Sequence, residues 1–243
     1  MEHKETLLGV IGGLGPLSTA HFMELVVNMT DAKVEQENVD MIVYNFPSIP
    51  DRTEYILGYY RKNPFHGLLY VGNALVQQNV DLIAIPCMTA HFFYDELSSR
   101  LDVPIINAVT ETVRHLKEKG IRRAGIMATE GTICSGLFSK ELQKHGIEAI
   151  CPSRPRQEDV THLIYRNIKE GLPPEMERFC RVEKELRSQG AEAIILGCTE
   201  LSLIKRGLPL NPGFLDAMEV LAQQTVLSCG KPLKDNYRDL ISR

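Results

Sequence analysis

The stretch Val80-Asp81-Leu82-Ile83-Ala84-Ile85-Pro86-Cys87-Met88-Thr89 has a counterpart later in the chain, Gly190-Ala191-Glu192-Ala193-Ile194-Ile195-Leu196-Gly197-Cys198-Thr199. Each is a short, nearly continuous apolar run that closes on a cysteine and a turn. Runs of this kind suit parallel strands covered on both faces, because no face has to meet water. A second pair of segments repeats as well. Gly9-Val10-Ile11-Gly12-Gly13-Leu14-Gly15 resembles Gly125-Ile126-Met127-Ala128-Thr129-Glu130-Gly131, a strand running into a small-residue turn and then a helix. The offsets, 116 residues from Gly9 to Gly125 and 111 from Cys87 to Cys198, nearly agree. The simplest reading is two similar halves.

Outward from these segments, the same alternation covers the chain. Residues 7–11, 41–46, 82–86, 103–107, 124–128 and 193–197 read as buried strands. Residues 16–31, 68–78, 108–119, 137–145, 159–170 and 175–189 read as helices, the first with Pro16 at its opening turn. Gly120, Gly146, Gly171 and Gly190 stand where helix carboxyl caps belong. A proline-containing segment follows each cysteine helix, at Val103-Pro104 and at Leu210-Asn211-Pro212. The expected fold is α/β, with two similar three-layer parallel-sheet domains related by a pseudo-twofold. The first comprises 1–109 plus 217–243, because a final helix from about Ala217 packs back on it, and the second comprises 110–216.

Composition narrows the function. Over 243 residues the net charge is −4 with both signs scattered, which gives no basic face for nucleic acid. The longest apolar runs are far too short to cross a bilayer. Met1-Glu2-His3-Lys4-Glu5 lacks the pattern of a signal peptide, so the expected location is cytoplasmic. The six cysteines form no C-x-x-C pair and show no zinc spacing, so no metal site is expected. Cys134, Cys151, Cys180 and Cys229 show no matching turn and read as structural.

Cys87 and Cys198 differ from those four. Each stands at the carboxyl end of a strand, where open α/β sheets bind ligands. If the halves face each other, the two thiols face each other across a cleft. Racemisation removes the Cα proton from one face and returns one to the other. Two bases, a thiolate and a thiol, do this without either having to move around the substrate. Cysteine suits the task because helix amino termini and hydrogen-bond donors tune its pKa. Backbone N–H groups at the same turns can hold a substrate carboxylate.

These residues resemble the aspartate/glutamate racemase superfamily, most closely its aspartate racemases. The resemblance spans nearly the whole chain. It runs through Ile11-Gly12-Gly13-Leu14-Gly15-Pro16-Leu17-Ser18-Thr19-Ala20, Pro47-Ser48-Ile49-Pro50-Asp51-Arg52-Thr53 and Pro86-Cys87-Met88-Thr89-Ala90-His91. It continues through Ala128-Thr129-Glu130-Gly131-Thr132, Ile164-Tyr165-Arg166-Asn167-Ile168-Lys169-Glu170-Gly171 and Leu196-Gly197-Cys198-Thr199-Glu200-Leu201. It implies a racemase that uses neither pyridoxal phosphate nor a metal, with no cofactor, two α/β domains and the site between them. It implies Cys87 and Cys198 as the proton donor/acceptors, Arg52 and Lys169 as partners of an aspartate or glutamate substrate's carboxylates, and a homodimer. A guanidinium can grip one carboxylate bidentately, and an ammonium serves the other as a point charge.

One departure stands out. The family pattern at the first cysteine is Cys-Asn-Thr, whereas this chain has Cys87-Met88-Thr89. Met88 replaces a multi-donor amide with an apolar thioether. Met88, Thr89, Thr132 and Thr199 are candidate substrate contacts. Glu200 and His91 are candidate neighbours of the thiols. An anionic Glu200 would raise a nearby thiol's pKa, and a protonated His91 would lower it. Both also read as satisfied groups behind the site. Gly12-Gly13-Leu14-Gly15-Pro16 fails the dinucleotide spacing, because Ser18 stands where a third glycine belongs. It reads as a tight turn opening a helix. Two other functions remain open at this level: another reaction of the superfamily, such as maleate-type isomerisation, and a homologue that binds a dicarboxylate without chemistry.

Overall fold

The computed structural model describes residues 5–242; Met1–Lys4, on which the signal-peptide reading rests, lie outside them. Among the described residues seven strands form two parallel sheets. In the first, β1 (Leu7–Gly12), β2 (Asp40–Asn45) and β3 (Leu82–Ala84) take the order β2-β1-β3. In the second, β4 (Arg123–Met127), β5 (Glu148–Ile150), β6 (Ala193–Leu196) and β7 (Phe214–Asp216) take the order β5-β4-β6-β7. The fold class is the one expected, two parallel-sheet α/β regions.

The strand ladders explain where the cysteines lie. Val10 pairs with Ala84 in the first sheet, and Met127 pairs with Leu196 in the second. Each cysteine follows the end of a strand that lies beside the opening strand of its sheet. In both sheets a glycine of that opening strand lets a helix come close. A Cβ on Gly9 would stand 3.2 Å from Leu75, and one on Gly125 would stand 3.2 Å from Leu186. Leu75 lies on the helix Pro64–Gln77 and Leu186 on the helix Met176–Ser188. The matched glycines of the repeat therefore do the same packing work.

Several elements depart from the sequence reading. Residues 103–107 form no strand; Ile83 makes a single parallel bridge to Ile105. Pro104 brings no N–H to a ladder, which keeps this segment from extending its pairing. Its counterpart after Pro212 does become a strand, β7, which the reading missed along with β5. The expected helix at 159–170 begins earlier, as Arg154–His162, and passes into a π-helix at Leu163–Ile168. The expected caps hold: Gly120, Gly146, Gly171 and Gly190 have φ of 73°, 71°, 74° and 94°. Among the described residues no helix is long and apolar enough to cross a membrane.

The chain divides into two compact units. One runs to Asn107 and takes in Leu221–Asp239; the other is Ala108–Val220, with the residues from Leu240. Helix Ala108–Glu118, which follows the first sheet, thus belongs to the second unit, while most of helix Ala217–Ser228, which follows the second sheet, belongs to the first. Beyond it, Leu233 bridges Thr30 in the first unit. The last described residues return to the second sheet, where Ile241 bridges Leu215 and Ser242 N donates to Phe214 O at 2.8 Å.

A partly buried charged cluster closes the end of the second sheet. Asp216 accepts from Ser202 Oγ at 2.7 Å and from Met218 N at 2.9 Å. Glu219 meets Lys205 Nζ at 2.6 Å. Burial first, and the Asp216 carboxylate second, push Glu219 up to about 7 despite Lys205. A carboxyl whose folded pKa is raised favours folding at low pH, and that contribution fades as pH rises through the ordinary carboxylate range toward 7. Glu219→Gln should therefore flatten the decline of Tm between pH 5 and pH 8. A thermal melt series with the same slope in both proteins would refute the assignment.

Candidate active site

In the first unit, Cys87 takes an extended conformation (φ −156°, ψ 107°) and caps the short 3-10 helix Met88–Phe93. It is 5% exposed and belongs to the core cluster of its sheet. Its carbonyl accepts from Ala90 N at 3.1 Å. The same carbonyl accepts from His91 Nδ1 at 3.0 Å, which places the ring proton on Nδ1. Burial holds His91 below its ordinary pKa, and its further bonds run to the backbone of Ile106 and Met88. His91 is therefore a neutral brace for the cysteine turn. It is not the protonated neighbour that would lower the thiol.

Arg52 reaches this turn from the opening of helix Arg52–Ile56, which Asp51 caps by accepting from Glu54 N. Its guanidinium is buried. Nη1 donates to Pro50 O at 3.1 Å, and Nη2 donates to Leu14 O at 3.4 Å and to Cys87 Sγ at 3.8 Å. The Gly12–Pro16 turn contributes a carbonyl, from Leu14, which grips Arg52. Gly13 holds the turn against β2, with φ 88° and no room for a Cβ, which would stand 2.4 Å from Phe46 N. Gly13 N donates to Thr19 Oγ1 at 2.9 Å, tying the turn to the helix Pro16–Met29. Met88 and Thr89 are both buried beside Cys87, at 1% and 6% exposure.

In the second unit, Cys198 repeats the geometry. It is extended (φ −146°, ψ 134°), caps the helix Thr199–Gly207, and lies in the core cluster of its own sheet. Its surroundings differ in sign. Cys198 Sγ donates to Glu200 Oε2 at 2.9 Å, and Thr199 Oγ1 donates to the same oxygen at 3.2 Å. Burial and then Glu200 hold this thiol well above its ordinary pKa, while Lys169 pulls it down. Lys169 follows the π-helix and rests its Nζ over the Tyr165 ring, 3.9 Å from the centroid. π-Helical turns of this kind recur at functional sites.

Thr132 belongs to the turn after β4. Thr129 caps the helix Glu130–Ser135 by accepting from Thr132 N, and the two hydroxyls lie 3.0 Å apart. The second unit thus gathers Cys198, Thr199, Glu200, Thr132 and Lys169, and the first gathers Cys87, Met88, Thr89, His91 and Arg52. The position that matches His91, four residues after the cysteine, is Ser202, which is bonded to Asp216. The signal for that match was the fixed offset of the repeat. Gln157, which the sequence reading passed over, donates to Ala128 O beside this turn. Among the remaining cysteines, Cys134 and Cys180 are exposed and so are not core residues, while Cys229 is buried with its thiol pushed up to about 11. Among the described residues no cluster of three or more His, Cys, Asp and Glu could hold a metal ion.

Known proteins share both sequence and fold with this chain. The model of a family described as Asp/Glu/Hydantoin racemase matches residues 11–225. A broad-specificity amino-acid racemase of Bacillus subtilis (strain 168) is 26% identical over 230 residues, which cover 90% of this chain and 96% of that protein. An aspartate racemase of Picrophilus torridus superposes with a TM-score of 0.82 at 28% identity, covering 96% of this chain and 98% of that one. A glutamate racemase of Francisella tularensis in complex with D-glutamate superposes with a TM-score of 0.68 at 19% identity, covering 92% of this chain and 80% of that one, and shows the fold alone.

The carboxylate beside Cys198 has a measurable consequence. Glu200→Gln removes an anion from the thiol and should lower its pKa, so that more thiolate is present at a given pH. Iodoacetamide should then modify Cys198 several-fold faster at pH 8, with exposed Cys134 and Cys180 as internal references in the peptide map. An unchanged rate relative to those references would mean that Glu200 exerts no hold on the thiol.

Proposed function

Because the chain belongs to the Asp/Glu/Hydantoin racemase family, we propose that it racemises a dicarboxylic amino acid, aspartate first, by two-base proton transfer between Cys87 and Cys198. The observation that carries this reading is the matched placement of the cysteines. Both are extended residues at the end of a buried strand and at the start of a helix, each 5% exposed. The proposed mechanism calls for one thiol on each face of the substrate's Cα, and each unit supplies one such thiol. The Picrophilus torridus likeness supports aspartate as the first substrate to try.

In one direction the Cys87 thiolate takes the Cα proton, and Cys198, held protonated beside Glu200, returns a proton to the opposite face. Cys87 is then a thiol and Cys198 a thiolate, ready for the reverse reaction. Arg52 gives the first sulfur a cationic donor, and its positive charge favours a substrate carboxylate at that turn. Lys169 supplies a second positive charge near Cys198. The thiols carry both proton transfers, so the mechanism calls for no cofactor.

A second reading rests on Met88. It is 1% exposed and apolar, at a position where the family pattern has Asn. An apolar group there fits a substrate whose side chain is not a carboxylate, in keeping with the likeness to the broad-specificity racemase.

The decisive experiment is Cα proton–deuterium exchange in D₂O with each enantiomer of aspartate and glutamate, and with an apolar amino acid. Wild-type protein should exchange and racemise at least one of them with no added cofactor. Cys87→Ser and Cys198→Ser should each abolish racemisation, with at most one-sided exchange of a single enantiomer remaining. Racemisation near the wild-type rate in either variant would end the two-base reading. Ligand-induced stabilisation without any exchange would mark a binding homologue instead.

Met88→Asn separates the substrate readings. An added hydrogen bond to a charged group contributes about 1.5–3 kcal/mol. That is about one to two orders of magnitude in kcat/KM. Aspartate turnover should rise by at least several-fold, and turnover of an apolar substrate should fall. Equal kcat/KM values in both proteins would show that Met88 does not face the ligand.

A further inference from the structure

Gln157 lies on helix Arg154–His162 and is 8% exposed. Its Nε2 donates to Ala128 O at 3.0 Å. That bond fixes the orientation of the carboxamide, because a flipped amide would set its oxygen against a carbonyl oxygen. The other edge, Oε1, is buried, and none of the described residues donates to it. A buried acceptor without a donor costs stability, and such an atom calls for an explanation.

Its position supplies one. Ala128 follows β4, whose Met127 O accepts from Gly197 N at 2.8 Å. Ala128 Cβ lies 3.2 Å from where a Cβ on Gly197 would stand. The carboxamide thus holds the backbone directly beside the Gly197-Cys198 turn, and Thr129 with its Thr132 partner comes next in the chain. All of these groups belong to the second unit.

An amino-acid substrate brings both anionic and cationic ends to such a site. Within this unit, Lys169 and the hydroxyls of Thr132 and Thr199 are hydrogen-bond donors suited to carboxylates. The α-ammonium group needs acceptors. Glu200 Oε2 already accepts from Cys198 Sγ and Thr199 Oγ1. Gln157 Oε1 is a buried acceptor of the same unit to which no described group donates. We propose that Gln157 Oε1 accepts a hydrogen bond from the α-ammonium group of the substrate, an assignment that rests on the racemase reading. A neutral acceptor orients the ammonium without cancelling its charge. That charge acidifies the adjacent Cα–H, so a carboxamide serves the proton abstraction better than a carboxylate would.

The test compares an amino acid with the same molecule lacking the amine. Aspartate is set against succinate as a competitive inhibitor, or glutamate against glutarate if glutamate is turned over faster. In Gln157→Met, KM for the amino acid should rise about tenfold or more, while the Ki of the diacid stays within about twofold of wild type. Gln157→Glu keeps an acceptor and should bind the amino acid more tightly than Gln157→Met, with no gain for the diacid. Gln157→Glu also carries the test if Gln157→Met does not fold. Equal weakening of amino acid and diacid, or no change in either, would overturn the assignment and leave Gln157 as a brace for Ala128. Wild-type protein that exchanges no Cα proton would instead overturn the racemase reading, and that result appears before any variant is made.

Discussion

A side chain at the end of a strand is positioned only as well as the neighbouring strands hold that end. The two cysteines meet this constraint differently. β6 is paired on both sides, over four residues with β4 and three with β7. β3 has three paired residues with β1 and a single bridge to Ile105 on its other side. The weaker side is reinforced by side chains. His91 gathers the backbone of Cys87, Met88 and Ile106, and Arg52 ties the sulfur to Leu14 and Pro50. In the second sheet the matching position is only Ser202, bonded to Asp216 at the end of a true strand. Where the ladder suffices, a hydroxyl is enough.

The electrostatic asymmetry follows the same division. One sulfur has a guanidinium for a neighbour and the other a carboxylate, in turns whose backbone angles are closely alike. Duplicated geometry with opposite charges is the pattern by which chemically identical groups take on separate acid and base roles. The ammonium of Lys169 opposes Glu200 at the second sulfur without outweighing burial and the carboxylate, so that thiol stays raised.

The sequence reading reached the fold through features that local chemistry dictates. Buried parallel strands are recognisable as unbroken apolar runs, and the glycine caps at 120, 146, 171 and 190 are recognisable because a left-handed residue favours glycine. The offset of the repeat located both cysteine turns. What stayed hidden depended on partners distant in the chain. β5 and β7 span only three residues each, too few for a periodic signal, and β7 exists because β6 lies beside it. Residues 103–107 are as apolar as a strand, yet Pro104 limits them to one bridge. The π-helix before Lys169 leaves no mark in a pattern of apolar positions. Nor does a sequence show that Glu200, rather than water, accepts the Cys198 proton, or that Gln157 folds back onto Ala128. Arg52 and Lys169 were named by family resemblance, and no local pattern singled them out.

The helix that follows each sheet completes the other unit. Ala108 onward builds into the second unit, and Leu221–Asp239 into the first. The first unit therefore joins two segments that flank residues 108–220, and its closing helical segment is synthesised only after those residues. Until that helix arrives, the first sheet emerges without part of its cover. Contacts so distant in sequence fold slowly, and a partly covered apolar sheet invites association while it waits. A break after Asn107 would not yield two independent proteins. It would yield a first fragment that lacks the closing segment Leu221–Asp239 and a second that carries it, so the first could be completed only by finding the second.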